Sequence, residues 1–178
     1  MTENNTRSNA PVLEYDSARA RIHINGETYS CHSHNCTSLY LQLADDARLF
    51  EGERLLRESA EDAFYRQLLL RFDRSGKDTL AERVETAQQY HASMGLGQLR
   101  IDCAGLAMGE ATLLHSHADE GWLRRFGKRE TPINYITQGF LAAFFSATHG
   151  LPPRSYEVAE IKSIVTGSSA SEFLIARR

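Results

Sequence analysis

The chain has 178 residues, 42% of them hydrophobic, enough for one domain with a buried core, and a formal net charge of -3. That balance argues against a general nucleic-acid binder, which needs a cationic surface to displace counterions. No apolar run approaches the roughly 20 residues needed to span a bilayer, and Met1–Ala10 carries no apolar signal-peptide core, so a cytoplasmic location is expected.

Residues 1–10 offer nothing to bury and are predicted to form a disordered tail ahead of a single α+β domain over 11–178. Asn25-Gly26 is a type I′ turn signal. Ala20, Ile22 and Ile24 alternate with polar residues before it, which predicts a β-hairpin. From Ser38 to Phe72 the period becomes helical, with Leu39, Leu43, Ala47 and Phe50, then Leu55, Ala63, Leu68 and Leu69. Gly52 marks a break. Residues 11–72 thus read as a hairpin and helices.

The segment 74–78 reads as a loop. A helix over Thr79–Met94 follows, with Asp78 or Thr79 as N-cap, Leu80, Val84, Ala87 and Tyr90/His91 as its apolar stripe, and Gly95 and Gly97 as its stop. Strands are predicted over Gln98–Leu106 and Glu110–His115. A short helix over Ala118–Phe126 has Asp119 and Glu120 at its positive end. Pro132 opens a longer helix, Ile133–His149, which Gly150-Leu151-Pro152-Pro153 ends. Two further strands, Arg154–Val165 and Glu172–Arg177, close the chain. This order predicts an antiparallel sheet packed against helices, an α+β fold.

A glycine-led strand (Gly95 to Ile101) precedes a helix carrying a glycine and aromatics (Gln138 to Phe145). Then come Glu160, Ser163, Gly167, Ser171 and Phe173 at fixed spacing. On these features Met94–Arg177 resembles the 4-vinyl reductase, or hydrocarbon-binding, domain, and 79–178 is taken as that region. The family shares its fold with subunits of a vesicle-tethering complex and supplies the effector-binding module of some phenol-sensing transcription activators. In it, the positions of Ser163 and Ser171 are usually cysteine, with a third cysteine near Ile136 or Thr137. With the glutamate matched by Glu160 they hold a structural zinc. Hydroxyls are poor zinc ligands, so the resemblance here implies the fold without that metal.

Ile136, Phe140 and Phe144 share one helix face at i, i+4 and i+8. The resemblance makes that face the wall of an apolar ligand pocket, with Leu99, Ile101, Leu113, Trp122 and Phe126 around it. The plainer alternative is that all of them are core.

Cys31-His32-Ser33-His34-Asn35-Cys36 gathers four metal-competent side chains in six residues. Continued as a strand, it puts His32, His34 and Cys36 on one face, as three ligands of Zn or Fe/haem. Turned, it brings Cys31 near Cys36 as a metal-binding or redox dithiol. A chance cluster at a strand–helix junction is the third possibility. His115 and His117 could complete such a site or be solvated. His23, His91 and His149 read as surface or half-buried, and Cys103 as a small buried hydrophobe on a strand. The basic run Arg124 to Arg129 reads as a solvated helix end.

There is no Gly-x-Ser-x-Gly elbow, no His-Glu-x-x-His and no nicotinamide or flavin fingerprint. The expected function is binding of a small apolar, aromatic or tetrapyrrole-like molecule, as a sensor or accessory protein. The resemblance implies a homodimer; a separate output protein is expected as partner, and neither nucleic acid nor membrane. The alternatives are a metal- or haem-binding redox protein built on residues 31–36, and an accessory factor in tetrapyrrole or cofactor metabolism. Catalysis by the chain itself is not expected.

Overall fold

Alternating buried and exposed side chains on four strands organise the larger part of the computed structural model, which describes residues 12–24, 26–76 and 79–178. The tail expected over 1–10, Asn25 of the hairpin turn, and Lys77 and Asp78 of the loop lie outside the described residues. Contacts divide the chain into two units, one ending at His32 and the other running Ser33–Arg178.

The first unit is a three-stranded antiparallel sheet of β1 (Leu13–Asp16), β2 (Arg21–Ile24) and β3 (Glu27–Tyr29). The expected hairpin is β2–β3, with Ile24 opposite Glu27 and Gly26 at φ +83°. Strand β1, unread from the sequence, pairs Leu13 with Ile24. Its turn closes where Asp16 accepts from the amides of Ala18 and Arg19 at 3.0 and 3.1 Å.

In the second unit, β4 (Gly97–Ala104), β5 (Met108–Ser116), β6 (Tyr156–Lys162) and β7 (Ser171–Arg177) form an antiparallel sheet in the order β4-β5-β7-β6. Leu99, Ile101, Ala111, Leu113, Val158, Phe173 and Ile175 belong to the main buried core. Arg100, Glu110 and Leu174 are exposed, the pattern of a sheet with one covered face. A register shift between Ile101 and Cys103 interrupts the alternation. Two successive residues, Asp102 and Cys103, are therefore exposed, and the buried reading of Cys103 is corrected.

Among the described residues five α-helices and a short 3-10 helix, Arg48–Phe50, complete the unit: α1 (His34–Asp46), α2 (Gly52–Ser75), α3 (Leu80–Ser93), α4 (His117–Phe126) and α5 (Tyr135–Thr148). Helix α3 begins with a capping box in which Thr79 Oγ1 accepts from the Glu82 amide and the Glu82 carboxylate accepts from the Thr79 amide. In α2 the buried seam is Ala60, Phe64, Leu68 and Phe72, every fourth residue. Of the stripe expected there, Leu55, Ala63 and Leu69 are exposed. The stripe expected from Leu39 to Phe50 is also reversed. Leu39, Leu43 and Phe50 are exposed, and Leu41 and Ala44 are buried. Apolar residues occur on both sides of α1, so periodicity alone could not choose the buried side.

Helix α5 lies between α2 and the strands β6 and β7. It is buried on almost every side, as an apolar helix at the centre of a domain must be. Gly139 permits this closeness. A Cβ there would meet the Arg57 carbonyl, and would lie 2.7 Å from Ala60 Cβ and 2.9 Å from the Glu61 amide nitrogen. A smaller core of Leu41, Trp122, Ile133, Tyr135 and Val165 joins α1 and α4 to the start of α5. Among the described residues no helix is long and apolar enough to cross a membrane.

Candidate functional site

Two buried arrangements flank α5. The first is a polar hub at its N-terminus. Helix α5 starts at Tyr135, two residues later than expected after Pro132, and Asn134, the residue before its first turn, makes no side-chain cap. Its amide is used elsewhere. Asn134 Nδ2 donates to Asp119 Oδ2 and to Glu160 Oε1, both at 2.7 Å. Its Oδ1 accepts from Ser116 Oγ at 2.9 Å. The orientation of the amide suits its partners, since the NH2 group can only donate and faces carboxyl oxygens, while Oδ1 faces a hydroxyl.

Asp119 is fully buried in the first turn of α4. Its Oδ1 accepts from Ser163 Oγ at 3.2 Å and from the Val165 amide at 3.1 Å. Ser171 Oγ donates to its Oδ2 at 3.4 Å and accepts from the Ile164 amide at 3.1 Å. Burial pushes the Glu160 carboxyl above its usual range and the Asp119 charge adds to this, while hydrogen bonds from Ser163 and Asn134 pull it back. Glu160, Ser163 and Ser171 thus converge, as the resemblance implied.

The hub does not fit zinc. Its serines present hydroxyls where zinc favours thiolates, and the Asn134 nitrogen, a donor, occupies the space between the two carboxylates. Among the described residues no group of three or more His, Cys, Asp or Glu side chains is placed to hold a metal ion. Asp119, Asn134 and Ser116 were not singled out for this role from the sequence. Their only local signal is helix-start chemistry, Ser116 capping the Asp119 amide at 3.0 Å.

The second arrangement is aromatic and lies along α5. Phe140, fully buried, meets Phe64 edge-on at 5.1 Å and His91 edge-on at 5.0 Å, with Tyr90 at 6.1 Å. Phe144 packs edge-on against Phe145 at 5.4 Å. Leu99 and Ile101 belong to the same core, and Ile136 packs against it from a half-buried position.

His91, expected at the surface or half-buried, is instead 0% exposed, on the apolar stripe of α3. Burial lowers its pKa to about 4, so the ring is neutral. Its Nδ1 lies 3.1 Å from the Gly97 carbonyl, which can only accept, so Nδ1 carries the proton. Nε2 is then the acceptor, and Thr137 Oγ1 lies 3.3 Å from it. One polar atom pair therefore sits inside a wall of rings.

Trp122 is not brought to this wall. It belongs to the smaller core, under the guanidinium of Arg129 at 4.7 Å. Phe126 is 42% exposed. Arg129 itself leaves the solvated basic run, because it pairs with Asp45 at 2.5 Å, and Asp45 also accepts from Tyr135 Oη at 2.7 Å.

The segment 31–36 does not continue as a strand. Its backbone leaves β3, and Ser33 caps α1, which starts at His34, so the strand alternation that would align His32, His34 and Cys36 is absent. Cys31 and Cys36 are free thiols and exposed. The structure instead brings His34 to His117, with ring centroids 4.2 Å apart. His117 Nε2 lies 3.2 Å from Thr37 Oγ1. Burial and the neighbouring His34 both lower the His117 pKa. His115 stands apart from that pair, 3.8 Å from Glu120 and largely exposed.

With this geometry in view, one solved structure decides the fold. The phenol-responsive sensory domain of the transcription activator PoxR, determined with phenol, superposes with a TM-score of 0.77 over 93% of this chain and 84% of that one, at 14% identity. This chain shares the fold of that domain. The trafficking protein particle complex subunit 3 from Naegleria fowleri, covalently bound to palmitic acid, is similar at a TM-score of 0.48 and 10% identity, over 80% of this chain and 95% of that one. No protein-family model matches the sequence, and no curated protein matches it. The shared fold includes the α+β arrangement of an antiparallel sheet packed against helices that was expected from element order.

Proposed function

We propose that this chain is a small-molecule-binding domain of the 4-vinyl reductase type that takes up an apolar or aromatic molecule and reports it to a separate output protein. One observation carries the reading. The fold shared with a phenol-responsive domain places a buried neutral imidazole, His91, among the rings of Phe64, Tyr90 and Phe140. Ligand sites of this kind are mostly apolar, with a few fixed polar groups that orient the guest. Here the guest's apolar body would lie against Phe140, Phe144, Leu99, Ile101 and Ile136. A hydroxyl on it would donate to His91 Nε2, in the place now held by Thr137 Oγ1. The Gly97 carbonyl holds the ring in the tautomer that keeps Nε2 an acceptor.

The reading is tested by thermal unfolding in the presence of phenol, substituted phenols, a neutral hydrocarbon such as toluene, and tetrapyrroles. A ligand selective for the folded state raises the melting temperature by mass action. Phenols are expected to stabilise the parent. His91→Gln, which removes the ring, is expected to weaken phenol more than toluene. If none of these compounds shifts the transition, the reading fails.

A further inference from the structure

Away from the aromatic wall, α2, α5 and β6 enclose a cleft of about 230 Å³ lined by Arg54, Arg57, Glu58, Glu61, Gln138 and Arg154, among others. Three carboxylates line it, and Glu157, largely exposed, reaches Arg178 only at 4.0 Å while the other two are firmly paired. Glu58 is held by Arg54 at 2.9 Å and lies 3.9 Å from Arg154. Glu61 accepts from the Arg154 amide at 2.6 Å and from its guanidinium at 2.9 Å.

Arg57 differs from these arginines. Among the described residues it pairs with no carboxylate; its partner is the neutral Oε1 of Gln138 at 3.2 Å. One guanidinium N–H is used and the rest of the fork is available. Gln138 is 5% exposed, a buried polar side chain at the wall of a cleft. The packing that seats it is not adaptable, since Gly139 brings the backbone of α5 against that of Arg57.

A half-buried guanidinium oriented by a buried amide, beside a small cleft in which Glu58 and Glu61 are already held by other arginines, matches the planar two-oxygen face of a carboxylate or phosphate. We propose that this cleft is an oxyanion site in which Arg57 and Gln138 bind the carboxylate or phosphate group of a small molecule. The cleft is distinct from the aromatic wall, so the proposal stands or falls independently of phenol binding.

The test is calorimetric titration of the full chain with inorganic phosphate and, separately, with benzoate, at low ionic strength where charge pairing is least screened. Binding of either anion is expected, and the tighter of the two identifies the source of the oxyanion. Arg57→Ala is expected to lose affinity about tenfold or more, and Arg57→Lys to lose less, since it keeps the charge without the fork. Gln138→Glu gives Arg57 an internal carboxylate and is expected to suppress binding with the arginine still in place. It answers the question should Arg57→Ala fail to fold. Absence of binding to the parent, or equal affinity in Arg57→Ala or Gln138→Glu, would overturn the proposal.

Discussion

Asn134 clamps both oxygens of one carboxylate: its side-chain nitrogen lies 2.7 Å from Glu160 Oε1 and its backbone nitrogen 3.1 Å from Glu160 Oε2. The same side-chain nitrogen reaches Asp119, so a single amide joins the start of α5 to β6 and α4. Two acids can be placed this close in the interior only because every oxygen finds a donor.

Removing that donor is therefore expected to be costly. Asn134→Ala leaves Asp119 and Glu160 facing each other without the bridging amide, and leaving a buried acceptor without its donor costs about 1–3 kcal/mol, more for a charged one. Asn134→Asp adds a third acid and is expected to be at least as damaging. Urea unfolding followed by far-UV circular dichroism measures both. A loss below about 1 kcal/mol, within the range of ordinary surface substitutions, would show that the clamp is not structural.

If the hub stands where the resembled family places zinc, chelation should leave the parent's melting curve unchanged. Ser163→Cys combined with Ser171→Cys restores two thiolates beside Glu160 and is expected to confer zinc binding, detected as metal retained through desalting. Failure of the double variant to retain zinc would separate the hub from that site.

Stability should also depend on His91. Its folded pKa of about 4 lies below the ordinary value of 6.5, so the unfolded chain takes up the proton first. The contribution is complete above pH 6.5 and is lost as pH falls from there towards 4. The difference amounts to roughly 3 kcal/mol. Glu160, whose pKa is raised, has the opposite sign: it adds stability at low pH that is lost as pH rises through its folded value. Comparing pH profiles of the parent and His91→Gln isolates the histidine. A profile unchanged by the substitution would mean that the ring is not buried and neutral.

Much of the fold was legible because its signals are local. The β2–β3 hairpin, the Thr79 cap and the glycine stop after α3 each depend on residues within a few positions of one another. The spacing of Glu160, Ser163 and Ser171 carried the hub by resemblance, and their convergence bears that part out. Its two central partners were missed because Asp119 and Asn134 arrive from other elements, and their local environments suggested only helix-start chemistry.

The aromatic residues of α5 were equally plain in the sequence, but which neighbours they meet was not. Trp122 reads as well as Leu99 for a pocket wall, yet the turn of α4 carries it to the other core. Cys103 reads as buried until one bulge turns it outward. His91 reads both as the end of the α3 apolar stripe and as a surface or half-buried polar residue, and only packing against Phe140 places it fully inside.

The sequence by itself determined the order of helices and strands after β1, the ends of several of them, and the fold class, because backbone propensity and capping act between near neighbours. Tertiary structure decided the side of α1 that is buried, the burial of His91, the separation of Trp122 from Phe140 and the capture of two acids by Asn134. Those outcomes depend on which distant surfaces meet, and side-chain periodicity limits that choice without making it.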